Sequence, residues 1–247
     1  HNEGTIKTGT TALDGCSGDG NIGNICRSAI GIIGDNGEGG ATTIVNSGTI
    51  ESTNEDKAGI TIYDTANATI TNSGKISGHS RDIYILDEGD ETGTTINLSG
   101  SPEFNNGIDT ANTTVTIVLQ NDISATFSVN LYNSIRNDPS GGKLTITDNL
   151  PANYTWSLTE EDLDTDSGTI GTADADDGVL SIVTVPTLSS SSPADGASNV
   201  GVNDNIVLTF SEVVDAESGN IVIKKSSDDS IVETIDVTGS KVSGSGS

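Results

Sequence analysis

The residues best suited to hold an ion are carboxylates. Asp162-Leu163-Asp164-Thr165-Asp166-Ser167-Gly168 sets three of them at alternate positions ahead of a glycine. Asp174-Ala175-Asp176-Asp177-Gly178 follows closely. Ca²⁺ takes about six to eight oxygen ligands, and an Asp-x-Asp-x-Asp loop brings several within mutual reach. The EF-hand pattern is not met, because Gly168 comes one place late and Ala173 stands where the closing Glu belongs. The expectation is Ca²⁺ held by Asp162, Asp164 and Asp166, with Asp174, Asp176 and Asp177 as further ligands. The competing reading is a solvated acidic loop between strands.

Two cysteines, Cys16 and Cys26, flank a polar, Gly-rich spacer of nine residues. Such a spacer can bend back and close a disulfide, which would staple a surface loop and imply an oxidising, extracytoplasmic compartment. The alternative is a pair of reduced thiols. Catalytic chemistry has little to work with. Glycan-cleaving β-helix enzymes need paired carboxylates beside Arg, Lys or His in a cleft. Carboxylates are everywhere here, so any pair is expected by chance. The basic residues worth weighing are His79, Arg81 and Arg136, and His79-Ser80-Arg81-Asp82 reads as a polar network in a loop. The chain is expected to be no enzyme.

These residues sit in an unusual background. Among 247 residues there are 30 Gly, no Met, one Trp, four Tyr and three Phe, and apolar types make up 32%. Globular domains usually run about 45–50% apolar, so a large core of Leu and Phe is excluded. Ten Lys and Arg against 36 Asp and Glu leave a net charge of −26. A polyanion of this kind repels nucleic acid and anionic headgroups, which removes both as partners. No apolar run approaches the roughly 18 residues needed to cross a bilayer.

An internal repeat organises the first part. Asn2-Glu3-Gly4-Thr5-Ile6, Asn46-Ser47-Gly48-Thr49-Ile50 and Asn72-Ser73-Gly74-Lys75-Ile76 share a frame, with a looser copy at Asn105-Asn106-Gly107-Ile108. Thr43-Ile44-Val45 and Thr69-Ile70-Thr71 run into the second and third copies. Alternating segments at Ala29–Ile32, Gly59–Ile62 and Asp82–Ile85 correspond to one another. A period in the twenties, built from short strands between Gly, Asn and Asp turns, predicts a β-solenoid. Alternation turns Ile and Val inward, and stacked Asn side chains can hydrogen-bond from coil to coil.

Strands continue beyond residue 111, at Val115–Leu119, Ala125–Val129, Lys143–Thr147, Tyr154–Leu158 and Gly178–Val183. The heavier aromatics, Trp156 included, gather here and are expected to close the solenoid near Val185. Pro186 to Pro193 is a Pro-bounded Ser tract with the composition of a linker. Beyond it Ile206, Leu208 and Phe210 share one face of a strand, and Ile221–Ile223 and Ile231–Val237 supply more. The predicted fold is all-β: a right-handed parallel β-helix over residues 1–185, a linker over 186–193, and a partial Ig-like sandwich over 194–247.

The last stretch resembles the bacterial Ig-like domains of S-layer proteins and large secreted adhesins. The likeness rests on Pro193-Ala194-Asp195-Gly196-Ala197, on Val200 and Val202, on Leu208-Thr209-Phe210-Ser211-Glu212, and on Ser218–Ile223. The Asn-Ser-Gly-Thr-Ile repeats resemble those of autotransporter-type adhesins. Neither resemblance brings a catalytic signature. Together they imply a non-enzymatic, extracellular structural or adhesive segment of a large bacterial or archaeal surface protein. Its expected partners are a cell-surface glycan, a protein receptor, or copies of itself.

The competing readings are a filament subunit joined by strand addition and a polysaccharide-acting β-helix enzyme. A full Ig sandwich takes about 100 residues, whereas 55 remain from Pro193 onward. The repeat also begins directly after His1, so both ends read as excerpted or completed by a neighbouring chain.

Overall fold

The structure is a computed structural model. It describes residues 1–8, 28–33, 42–55, 57–63, 68–86, 93–110, 113–132, 144–160 and 177–244. Among these the fold is all-β, and the chain divides into two compact units, His1–Thr184 and Val185–Ser247.

In the first unit short strands recur in threes. β1 (Thr5–Thr8), β2 (Ile30–Ile33) and β3 (Thr43–Asn46) make one coil. β4 (Thr49–Ser52), β5 (Ile60–Tyr63) and β6 (Thr69–Asn72) make the next. β7 (Lys75–Ser77), β8 (Ile83–Leu86) and β9 (Thr94–Leu98) follow, then β10 (Glu103–Phe104), β11 (Ile108–Asp109) and β12 (Val115–Leu119). β13 (Phe127–Tyr132) and β14 (Leu144–Asp148) extend two of the three faces. Each coil lays one strand on each face, giving parallel ladders β1-β4-β7-β10, β2-β5-β8-β11-β13 and β3-β6-β9-β12-β14. This is a β-solenoid.

The sequence makes these strands because β-branched residues alternate with polar ones, and alternation sends one set inward. Identical side chains then stack. Ile44, Ile70, Ile96, Ile117 and Ile146 form one column, and Ile30, Ile60, Ile83, Ile108 and Leu131 another. Isoleucine dominates the buried core, so the narrow interior fills without large aromatics.

The Asn-Ser-Gly corners stack as the repeat implies. Asn2 Nδ2 donates to Asn46 Oδ1 at 2.8 Å, and Asn46 Nδ2 donates to Asn72 Oδ1 at 2.7 Å. Asn46 and Asn72 are fully buried, and each amide is also bonded to its own corner's backbone. The glycines of these corners are required by contact. A Cβ on Gly74 would lie 2.2 Å from Gly48 O and 2.7 Å from Ser47 C, both backbone atoms that the ladder holds in place. Gly74→Ala should therefore cost about 1–3 kcal/mol or more through overpacking. Gly4→Ala, with no atom within 4 Å of the new carbon, should be close to neutral. Urea midpoints of the two variants make the comparison.

Three features differ from the sequence reading. The copy at Asn105–Ile108 does not join the Asn ladder. Leu98 stands opposite Asn72 on the following coil, and Ile108 pairs with Ile83 on another face. Asn105 comes 33 residues after Asn72, seven more than the 26-residue coil step, so the motif falls on the next corner, between β10 and β11.

The end of the solenoid also departs from parallel stacking. β16 (Gly178–Thr184) runs antiparallel to β13 and to β15 (Tyr154–Glu160). Its Leu180 and Ile182 are fully buried, between Val129 and Leu158 and between Phe127 and Trp156. Trp156 is half-buried against the core, and its indole N–H donates to Asp148.

The third difference is a correction to the linker over 186–193. Leu188–Ser192 is strand β17, antiparallel to β18 (Val207–Phe210) with a bulge between Leu188 and Ser190. Serine accepts an extended backbone readily, and ladder bonds to β18 outweigh a composition that reads as flexible. β19 (Asn220–Lys224) and β20 (Ile231–Asp236) form a second antiparallel pair. Among the described residues of this unit none is buried, and Val202, Ile231 and Val213 lie well exposed.

Candidate functional site

Most of the chemistry expected from sequence falls outside the described residues. That holds for Asp162, Asp164, Asp166, Asp174 and Asp176, and for Cys16 and Cys26. Asp177 is described: it is buried, directly ahead of β16. Among the described residues no three His, Cys, Asp or Glu side chains gather as a metal site.

The loop His79-Ser80-Arg81-Asp82 does build a polar network, with two separate halves. Asp82 is solvent-inaccessible. Its Oδ1 accepts the Gly78 amide at 3.0 Å, and its Oδ2 accepts the amides of Asn105, Asn106 and Gly107 at 2.6, 2.7 and 2.7 Å. The Asp82 amide returns a bond to Gly107 O, and Asp82 O accepts from Ile60. One residue thus clasps the corners of three coils. Gly107 has φ +83°, a left-handed turn that aims consecutive amides at the carboxylate. Burial pushes the Asp82 carboxyl above its ordinary range, and the four amide bonds pull it back in part.

Arg81 faces the other way. Its guanidinium lies 3.6 Å from the centroid of the Tyr132 ring, and its Nε is 3.4 Å from Asp109 Oδ2. Asp109 is itself buried on β11. Tyr84 stands on the neighbouring strand, its phenol raised by burial and then by the Asp109 charge, while Arg81 acts against both. The arginine is held by a carboxylate and a π-face at once, a stable cross-brace between coils.

Sequence reasoning missed a different place, on the outer face of β6, β9 and β12. An open groove of about 300 Å³ is lined by Thr71, Asn97, Ser99, Gln120, Asn121 and Asp122. Asn97 Nδ2 donates to Thr71 Oγ1 at 3.2 Å, and Gln120 Nε2 donates to Asn97 Oδ1 at 3.0 Å. Ser99 Oγ donates to Asp122 Oδ2 at 2.7 Å. The turn carrying the last three residues is pinned below: Gln120 N donates to Leu98 O, Ser124 N to Gly100 O, and Ile123 is buried. The signal was available. Thr71 to Asn97 is one coil length, the same step as Asn46 to Asn72, so outward polar residues of adjacent coils could have been paired from the repeat.

The architecture defines an all-β protein, a β-solenoid followed by an Ig-like domain. Residues 183–244 match the family described as a bacterial Ig-like domain. No curated protein and no solved structure matches the chain. No helix among the described residues is long and apolar enough to cross a membrane.

Proposed function

We propose that this chain is a non-enzymatic structural and adhesive segment of a large bacterial surface protein, located outside the cell. The observation that carries the reading is the Ig-like match at 183–244 directly after a stacked solenoid. Bacterial Ig-like domains occur in surface and extracellular proteins, and a solenoid is a quasi-one-dimensional rod that gains length coil by coil. The net charge of −26 suits a surface meant to stay soluble and unaggregated. The described ionisable clusters favour support over turnover. Asp82 spends both carboxylate oxygens on backbone amides, and Arg81 is engaged by Asp109 and Tyr132.

Two measurements test this. Protease shaving of intact cells that carry the full-length protein should release fragments of this segment. A chain fully protected until lysis would overturn the location. Incubation with a panel of polysaccharides should give no new reducing ends. Turnover abolished by one carboxylate substitution would make the protein an enzyme instead.

Calcium belongs to the same reading. The carboxylates of segment 162–177 repel one another, so a cation held by Asp162, Asp164 and Asp166 should stabilise the fold by mass action. Millimolar Ca²⁺ is expected to raise the melting temperature relative to a chelator, and Asp164→Asn to reduce that rise. Equal melting in both conditions removes calcium from the account.

A further inference from the structure

We propose that the groove between Thr71, Asn97 and Gln120 binds a neutral, hydroxyl-rich glycan chain. The inference rests on the adhesive reading and gives it a location. An Asn or Gln side chain offers two donor hydrogens and one acceptor oxygen. The ladder uses one hydrogen of Asn97 and one of Gln120, together with Asn97 Oδ1. Among the described residues Gln120 Oε1 accepts no bond, and neither end of the Asn121 amide is engaged. One hydrogen on each of Asn97 and Gln120 also remains, and Asp122 keeps acceptor capacity beyond Ser99 and Gly100. The groove wall therefore presents donors and acceptors interleaved over a few ångströms. A sugar ring carries adjacent hydroxyls that each donate and accept, and it fits such a wall better than a one-sided ligand would.

The groove is also preorganised. Free amide side chains lose rotamer freedom on binding, which weakens affinity. Here the Asn97 and Gln120 amides are already fixed by their neighbours on adjacent coils, and the turn under Gln120–Asp122 is bonded to β9 and Gly100. Successive coils lie about 4.8 Å apart, so the groups repeat along the groove at roughly the scale of one pyranose ring.

Charge selects the class. A chain at −26 with Asp122 in the groove disfavours uronates and sulfated glycans. Among the described residues no aromatic lines the groove, so each contact is weak, and useful adhesion needs many copies acting together.

The test uses the full chain, displayed multivalently on a surface. The probes are cello-oligosaccharides, mannan, dextran and laminarin, with polygalacturonate and heparin as anionic comparators. At least one neutral probe should bind, and Asn121→Ala and Gln120→Ala should each weaken it about five- to tenfold, the worth of one hydrogen bond. Asn121→Ala removes an amide that bonds nothing among the described residues, so its melting temperature should be unchanged. Failure to retain any neutral probe overturns the proposal. So does binding unchanged in both variants, or preference for the anionic probes. Surface exposure by protease shaving is scored separately, so a silent groove on an exposed protein would refute the site and leave the location standing.

Discussion

Asp82→Ala should remove a large share of the solenoid's stability. Four backbone amides, from Gly78, Asn105, Asn106 and Gly107, converge on this carboxylate in a place water does not reach. Alanine leaves them without an acceptor, and each buried unsatisfied donor costs about 1–3 kcal/mol. Even if relaxation rescues half of them, the loss is on the order of 4 kcal/mol, a large share of the about 5–15 kcal/mol that holds a typical domain. Asp82→Asn keeps the volume and one acceptor oxygen. That oxygen can serve the trio at 105–107, while the new NH₂ meets the Gly78 amide donor to donor. We expect about 1–3 kcal/mol for that variant, from one donor left unmatched. Urea unfolding followed by far-ultraviolet circular dichroism should rank wild type above Asp82→Asn above Asp82→Ala. Equal midpoints for all three would show that the 105–107 corner is held by something other than this carboxylate.

Ile96→Ala should cost about 2–5 kcal/mol, the range for truncating a fully buried aliphatic side chain. Ile96 stands in the middle of a column, with Ile70 on one side and Ile117 on the other. Both neighbours are buried, and the strands above and below are hydrogen-bonded along their lengths, so the cavity cannot collapse by a local shift. Ile44→Ala, at the half-buried start of the same column, should cost markedly less. Energies that depend on nearest-neighbour coils predict this gradient. Equal losses at the two positions would contradict a stack of coils as the unit of stability. Asn46 provides an independent check on the same logic, since its amide links Asn2 above to Asn72 below.

Much of the architecture was legible because it repeats. Thr-Ile-x-Asn-Ser-Gly-x-Ile carries its own instruction: alternate residues face inward, Asn and Gly turn the corner, and the next copy lies on top. The correspondences Ile30 with Ile60 and Ile83, and Asn46 with Asn72, could be read from spacing alone, and the strands pair in that register. The Ig-like segment was legible for a different reason, a set of local motifs from Pro193 to Ile223 whose match extends over 183–244. The Ser tract misled because composition reports flexibility of an isolated segment. It does not report the ladder bonds that a partner strand offers, and β18 supplies them to Leu188–Ser192.

The sequence by itself determined the period, the inward Ile columns, the stacked Asn corners and the acidic surface. Each follows from local alternation or from a sum over residues. Tertiary structure alone decided where the repeat breaks and what the breaks bring together. The coil step is 26 residues from Asn46 to Asn72, 23 from Ile60 to Ile83 and 25 from Ile83 to Ile108. Unequal corners let the chain drift against its own motif. Core packing restores the register of the Ile columns and leaves the corners to adjust. That adjustment turned the amides of Asn105–Gly107 toward Asp82 and laid Gln120 beside Asn97. Burial of apolar side chains is the larger energy, so it fixes the stacking, and the polar sites form wherever that stacking places them.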